Sequence, residues 1–143
     1  MQAIHKDLLW LGNALDIREP KRLFELEICA VVDLAYEEPP AVLPRSLIYC
    51  RFPLNDGGGN ERSLLTLAVQ TVVDLLAAET RTAIACSAGM SRSPSIATLA
   101  LAAHLSEQPE DIVARIATLR TLEINPMLWS DVRAVFTAVR RNT

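Results

Sequence analysis

Short apolar runs alternate with longer amphipathic segments along this chain. Runs typical of strands covered on both faces lie at residues 8–13, 28–35, 47–54 and 82–86. The intervening and following segments predict helices at 20–27, 63–79, 95–105, 110–119 and about 128–140. Because strands separated by helices pair in parallel, we expect an α/β fold. Its mostly parallel central sheet has four or five strands and is flanked by helices.

Length and composition predict one folded domain. The 143 residues lie within the usual size of a domain, half are hydrophobic and 22% are charged. No internal repeat or linker interrupts the pattern. A single domain over residues 1–143 is therefore expected.

The charge pattern argues against nucleic acid or a membrane as partner. The formal net charge is -3, and Lys and Arg form no run. The first residues carry no long apolar segment after their charges, and no apolar run approaches the length of a membrane span. We therefore expect a cytoplasmic protein. A monomer is expected as well, although the charge pattern does not bear on this.

The cysteines do not form a disulfide or zinc pattern. The chain has three cysteines, and none of them lies in a C-x-x-C spacing. Cys29 and Cys50 fall in predicted strands and are interpreted as small core hydrophobes. Cys86 has different neighbours, in the stretch ACSAGMSRSPS at residues 85–95.

That stretch is suited to binding a phosphate-sized anion. A strand brings Cys86 to its carboxyl end, and Ser93 and Pro94 are predicted to be the N-cap and first residue of the next helix. Backbone N–H groups of the loop can point inward as an anion nest, joined by the positive end of the helix dipole. Arg92 adds a fork that grips two phosphate oxygens. The loop residues are Ser87, Ala88, Gly89, Met90 and Ser91.

The same environment favours the thiolate of Cys86 and would make it a nucleophile beneath a bound phosphate. The alternative is a buried cysteine at a strand end that lies near an arginine by chance. The bare C-x5-R spacing is a weak motif, but Gly89 at the third position and Ser93 after the arginine make the pattern far more specific.

The sequence C-S-A-G-M-S-R-S resembles the signature loop of cysteine-dependent protein tyrosine phosphatases. Within them it is most similar to the compact dual-specificity group, whose loop commonly reads H-C-x-A-G-x-S-R-S. The resemblance implies a catalytic domain in which Cys86 forms a phosphocysteine and Arg92 binds the phosphate and the transition state. It also implies that Ser93 hydrogen-bonds the sulfur and eases its departure. The segment LLWLGN resembles the opening segment of the family, and INPMLW after Arg120 resembles a later one, with the family's Pro-Asn pair reversed as Asn125-Pro126.

The family takes its general acid from an aspartate about thirty residues before the cysteine. Asp56 lies 30 positions before Cys86, directly after a predicted strand and before the glycines at 57–59. A plain Asp-Gly turn is the alternative reading of Asp56. Glu61 is the reserve candidate for the acid, and Asp33 is interpreted as a structural residue at a strand end.

The chain departs from the family pattern at Ala85, where the family has histidine. Alanine donates no side-chain hydrogen bond, so weakened rather than abolished nucleophilicity is expected. His5 and His104 are far from the loop in sequence and are not expected to replace that histidine.

The resemblance implies a phosphatase that hydrolyses phosphomonoesters, namely phosphotyrosine with or without phosphoserine and phosphothreonine on proteins. The alternative is a catalytically weak module that binds phosphate or phosphopeptides. Because the loop has no lysine, a singly phosphorylated substrate is expected. Other enzyme classes with a cysteine loop fit less well. Low-molecular-weight phosphatases and arsenate reductases place the cysteine near the N-terminus, whereas Cys86 is central in this chain. Rhodanese-like loops lack the Arg-Ser helix start that is present here. We expect no metal and no cofactor.

Overall fold

The computed structural model describes residues 1–140, in which five strands form one sheet in the order β1-β2-β5-β3-β4. Strands β2, β5, β3 and β4 are parallel, and β1 pairs with β2 in the antiparallel sense at the edge. The expected mostly parallel sheet is confirmed, with the short edge strand β1 as an element that the apolar pattern did not predict. The strands are β1 (Gln2–His5), β2 (Leu9–Gly12), β3 (Ala30–Ala35), β4 (Ile48–Leu54) and β5 (Thr82–Ala85).

Helices cover both faces of the sheet. One core joins alternate strand residues such as Leu11, Val32 and Ile84 to the four later helices. The second core holds the intervening residues, such as Trp10 and Ala85, against the first helix and the 3-10 turn before it. The alternation follows from the two-residue period of a strand. The helices are α1 (Pro20–Glu25), α2 (Arg62–Ala77), α3 (Arg92–Leu105), α4 (Pro109–Ala117) and α5 (Pro126–Val135).

Helix α3 is the central element of the helical layer. It is buried from Arg92 to Ala103 and packs against α2, α4, α5 and the sheet, which its many alanines permit. The helix begins at Arg92, with Ser91 as N-cap, so the predicted start at Ser93 and Pro94 is wrong by two residues. The first-turn N–H groups of a helix have no partner within it, and proline is therefore tolerated at the third position. The side chain of Ser93 therefore does not cap the helix and can make a contact elsewhere.

The helices carry no bilayer-spanning segment: in residues 1–140, none combines the necessary length and apolar character. The carboxyl ends of β3, β4 and β5 meet at one edge of the sheet, where ligands of open α/β sheets bind.

Candidate active site

A pocket of about 270 Å³ opens at this edge of the sheet. Its base is the loop after β5, including Cys86 and Arg92, and exposed carboxylates from Glu37, Asp56 and Glu123 complete the lining. The structure thus brings the predicted nucleophile, phosphate ligand and general acid together. The other lining residues are Ser87, Ala88, Met90 and Ser91, which the sequence also assigned to the phosphate loop.

The sulfur of Cys86 is the centre of a set of hydrogen-bond donors. Cys86 is 2% exposed, and its Sγ accepts from the N–H groups of Gly89 at 3.2 Å and Ser93 at 3.5 Å. The hydroxyl of Ser93 lies 3.3 Å from the same sulfur. Donors that converge on one sulfur stabilise a thiolate and a departing sulfur alike.

Gly89 is required by both conformation and space. Its φ is +75°, a region that residues with a Cβ rarely adopt. A Cβ at this position would lie 2.7 Å from the carbonyl oxygen of Gly12 and 2.9 Å from Nη2 of Arg120. The loop therefore curls against the end of β2 only because residue 89 is glycine.

The loop leaves several of its own amides for a ligand. Among the residues that the structure describes, the N–H groups of Ala88, Met90 and Ser91 donate to no protein acceptor. They precede the N-terminus of α3, which contributes its positive dipole end. Such an arrangement can bind a phosphate dianion.

Backbone contacts hold the loop in the absence of the family histidine. Ala85 is fully buried in the core on the α1 side of the sheet, away from the pocket. The N–H of Ala14 donates to the carbonyl of Ser87 at 3.2 Å, and that of Glu123 donates to the carbonyl of Met90 at 2.9 Å. These contacts fix both sides of the loop. His5 and His104 pack against each other, with ring centroids 6.2 Å apart at the opposite end of α3, so neither replaces the histidine.

Arg92 is held by an acidic partner that the sequence did not indicate. The side chain is 4% exposed, and Nη1 donates to the carbonyl of Leu54 at 2.8 Å. The carboxylate of Glu37 accepts from Nη1 at 2.5 Å and from Nη2 at 2.8 Å. The hydrogen bond from Arg92 is the main cause that lowers the pKa of Glu37 to about 2, so the pair is ionised at neutral pH. Nε of Arg92 is buried without a partner among residues 1–140.

Asp56 is connected to the loop by a chain of hydrogen bonds. The hydroxyl of Ser91 donates to Oδ1 of Asp56 at 2.6 Å and accepts from the N–H of Asn125 at 2.9 Å. The side-chain amide of Asn125 donates to the carbonyl of Asp56 at 3.2 Å. Asn125 also caps α5. No role for Asn125 was predicted from the sequence, but its position after Arg120 in the family-like segment was the available signal.

The loop that carries Asp56 (residues 55–60) is rich in glycine but is held by hydrogen bonds. Asn60 bridges it, because its side chain accepts from the N–H of Asn55 at 2.8 Å and donates to the carbonyl of Asn55 at 2.9 Å. The N–H of Gly59 donates to Asp131 of α5 at 3.2 Å. The loop is therefore ordered beside the pocket.

The alternative acidic residues lie elsewhere. Glu61 is the N-cap residue of α2 and does not line the pocket. Asp33 is 2% exposed and accepts a hydrogen bond from the Tyr49 hydroxyl at 2.6 Å, which connects β3 to β4. The interpretation of Cys29 as a core residue is wrong: it is exposed, because it precedes the start of β3 at Ala30.

Within residues 1–140, no group of three or more His, Cys, Asp or Glu side chains is placed to hold an ion.

Comparisons with known proteins relate this geometry to a fold family. No protein-family model matches the sequence, and no curated protein matches it either. Human DUSP28 aligns with a TM-score of 0.84 and 19% identity over 96% of each chain. The human tyrosine phosphatase-like serine/threonine/tyrosine-interacting protein aligns with a TM-score of 0.81 and 15% identity over 96% of each chain. OH1 from the Orf virus, described as a tyrosine phosphatase with triple substrate specificity, gives 0.69 and 19% over 93% of this chain and 84% of its own.

These solved structures share the order and packing of the elements over nearly the whole chain, at a sequence identity that establishes the fold and no more. The protein has the fold of the dual-specificity phosphatases.

Proposed function

We propose that this chain is a single catalytic domain that hydrolyses phosphomonoesters through a phosphocysteine on Cys86. One observation carries the proposal: the Cys86 sulfur, with three donor groups within 3.5 Å, lies in a pocket that Arg92 and Asp56 also line. The substrates are phosphotyrosine and, where the pocket admits the shorter side chains, phosphoserine and phosphothreonine on proteins.

In the first step, the Cys86 thiolate attacks phosphorus and the bond from phosphorus to the ester oxygen breaks. The loop amides and Arg92 bind the equatorial oxygens, where negative charge must be stabilised. Asp56, in its protonated form, donates a proton to the leaving oxygen. The Ser91 hydroxyl occupies Oδ1 of Asp56, which leaves Oδ2 to carry that proton.

In the second step, water attacks the phosphocysteine and the bond between sulfur and phosphorus breaks. Asp56, now a carboxylate, accepts the proton of the water, and inorganic phosphate is released. The Ser93 hydroxyl and the N–H of Gly89 stabilise the departing thiolate. Ser93 is suited to this role because its hydroxyl faces the sulfur rather than capping α3.

The proposed mechanism also bears on cofactors and on the cellular compartment. No metal or cofactor enters either step. Cys29, Cys50 and Cys86 are all free thiols, and a nucleophilic thiolate is preserved in a reducing compartment, so we place the enzyme in the cytoplasm.

A second candidate is a module that binds phosphorylated peptides with little or no turnover. Ala85 favours it, because that position supplies no hydrogen bond to the loop. The Glu37 carboxylate on Arg92 also occupies part of the guanidinium that a reacting phosphoryl group needs.

The deciding experiment measures hydrolysis of an aryl phosphate across pH for the wild type, Cys86→Ser and Asp56→Asn. If the wild type hydrolyses the aryl phosphate and Cys86→Ser does not, the result supports the proposed phosphatase activity. Asp56→Asn is expected to lower kcat and to remove the falling alkaline limb of the rate profile. Saturable phosphopeptide binding with no turnover by the wild type would overturn the enzyme and support the binding module.

A further inference from the structure

The pocket lining has an unusual balance of charge for a site that binds an anion. Three carboxylates, from Glu37, Asp56 and Glu123, line it together with one cationic side chain, Arg92. When the thiolate and a phosphate dianion are added, negative charge greatly exceeds positive charge. The loop amides and the N-terminal end of α3 offset part of the phosphate charge, and electrostatic complementarity favours a further positive charge on the substrate itself.

The three carboxylates are not equivalent. Glu37 is neutralised by its ion pair with Arg92, and Asp56 accepts the Ser91 hydrogen bond that belongs to the acid-base machinery. Glu123 is exposed and forms no ion pair among the described residues. Its backbone N–H donates to the carbonyl of Met90, so the backbone of residue 123 is held against the phosphate loop.

One residue that lines the pocket also has an unsatisfied hydrogen-bond donor. Arg92 is 96% buried, since its side chain is 4% exposed, and its Nε has no partner within residues 1–140. Arg92 lines the pocket together with Ala88, Met90 and Ser91, whose N–H groups donate to no acceptor among the described residues. The base of the pocket is suited to a phosphate, and the unpaired carboxylate of Glu123 in the lining is suited to a cation. A ligand that carries a phosphate and a nearby positive charge would satisfy both.

We infer that Glu123 selects phosphopeptides in which a lysine or arginine flanks the phosphorylated residue. This inference rests on the proposed function, and it names the class of substrate. Exposed apolar side chains favour a peptide as the carrier of both charges. Tyr36, next to Glu37, is 61% exposed, and Met127, which lies against Gly58 of the acid-bearing loop, is 63% exposed.

The test compares phosphotyrosyl peptides that are identical except for lysine, glutamine or glutamate at the flanking positions. For the wild type, kcat/KM is expected to rise about three-fold for each glutamine replaced by lysine, the size of a solvent-exposed ion pair. Glu123→Gln is expected to reduce the ratio between lysine and glutamine peptides towards one. Added salt should reduce the wild-type ratio in the same way.

Glu79→Gln is the matched control, because it removes one charge at the opposite end of the sheet, just before β5. It should keep the full lysine preference. An equal ratio in wild type and Glu123→Gln, or equal kcat/KM for lysine and glutamate peptides, overturns the inference while turnover still supports the phosphatase. If the wild type shows no turnover, the proposed catalytic activity is overturned but the charge preference is not. That preference is then measured from the affinity of the wild type for the same peptides.

Discussion

The ion pair between Glu37 and Arg92 gives the sharpest test of how the site is built. Glu37→Gln removes the charge that holds a 4% exposed guanidinium in place. A pKa of about 2 against the ordinary 4.5 corresponds to about 3 kcal/mol for a fully shielded pair. Because the Glu37 side chain is 55% exposed, solvent screening reduces this to about 1 kcal/mol.

The pH dependence follows from the direction of the shift. The folded state lowers the pKa of Glu37, so its contribution to stability is complete above the unfolded value near 4.5 and is lost as pH falls towards 2. Urea unfolding at pH 7 should therefore show Glu37→Gln less stable than the wild type by about 1 kcal/mol. The difference should shrink steadily between pH 4.5 and 3.

Glu38→Gln is the matched control, since the neighbouring side chain has no described ionic partner and only its backbone carbonyl accepts from Arg51. It should leave the unfolding free energy unchanged within a few tenths of a kcal/mol. A difference between wild type and Glu37→Gln that stays constant, or grows, as pH falls below 4.5 would refute the assignment of the ion pair.

Three further changes probe the loop and the acid. Gly89→Ala should lower the free energy of unfolding by more than 1 kcal/mol and abolish turnover, because the Cβ meets the carbonyl of Gly12; unfolding curves and aryl phosphate assays check both. Ser93→Ala should slow the second step more than the first, so a rapid-mixing assay should show a burst of product, and its absence would contradict the role of Ser93. Asn125→Asp should retain the α5 cap and the unfolding midpoint but lower kcat about ten-fold, because the donor to Asp56 is lost; an unchanged kcat would exclude Asn125 as a positioning residue.

The parts of the site that sequence predicted are those encoded by contiguous residues. The loop from Cys86 to Arg92 connects a strand to a helix, and its spacing, together with Gly89 and Ser93, was enough to predict that both residues line one site. Asp56 was also accessible, because it follows β4 and the carboxyl ends of parallel strands converge.

The parts that sequence did not predict depend on contacts between distant segments. Glu37 lies 55 positions from Arg92, in a proline-rich loop with no regular spacing. Its position just after the end of β3 was the only local signal. The start of α3 was misplaced because two serines, Ser91 and Ser93, fit an N-cap equally well, and only the position of the Cys86 sulfur distinguishes them.

The departure at Ala85 also has a physical reading that sequence could not supply. The side chain faces the core on the α1 side with Trp10 and Val31, so a histidine there would have to displace packed atoms. Ala85→His is therefore expected to lower stability rather than simply restore a hydrogen bond to the loop.

The most direct test of the central claim is the chemical state of residue 86 during turnover. Wild type and Ser93→Ala are mixed with an aryl phosphate, denatured after milliseconds at alkaline pH, where the S–P bond is more stable than in acid, and analysed by peptide mass spectrometry. We predict one added phosphoryl group on the peptide that contains Cys86, and a larger fraction of phosphorylated peptide in Ser93→Ala. Turnover in which that peptide never gains a phosphoryl group would contradict the account.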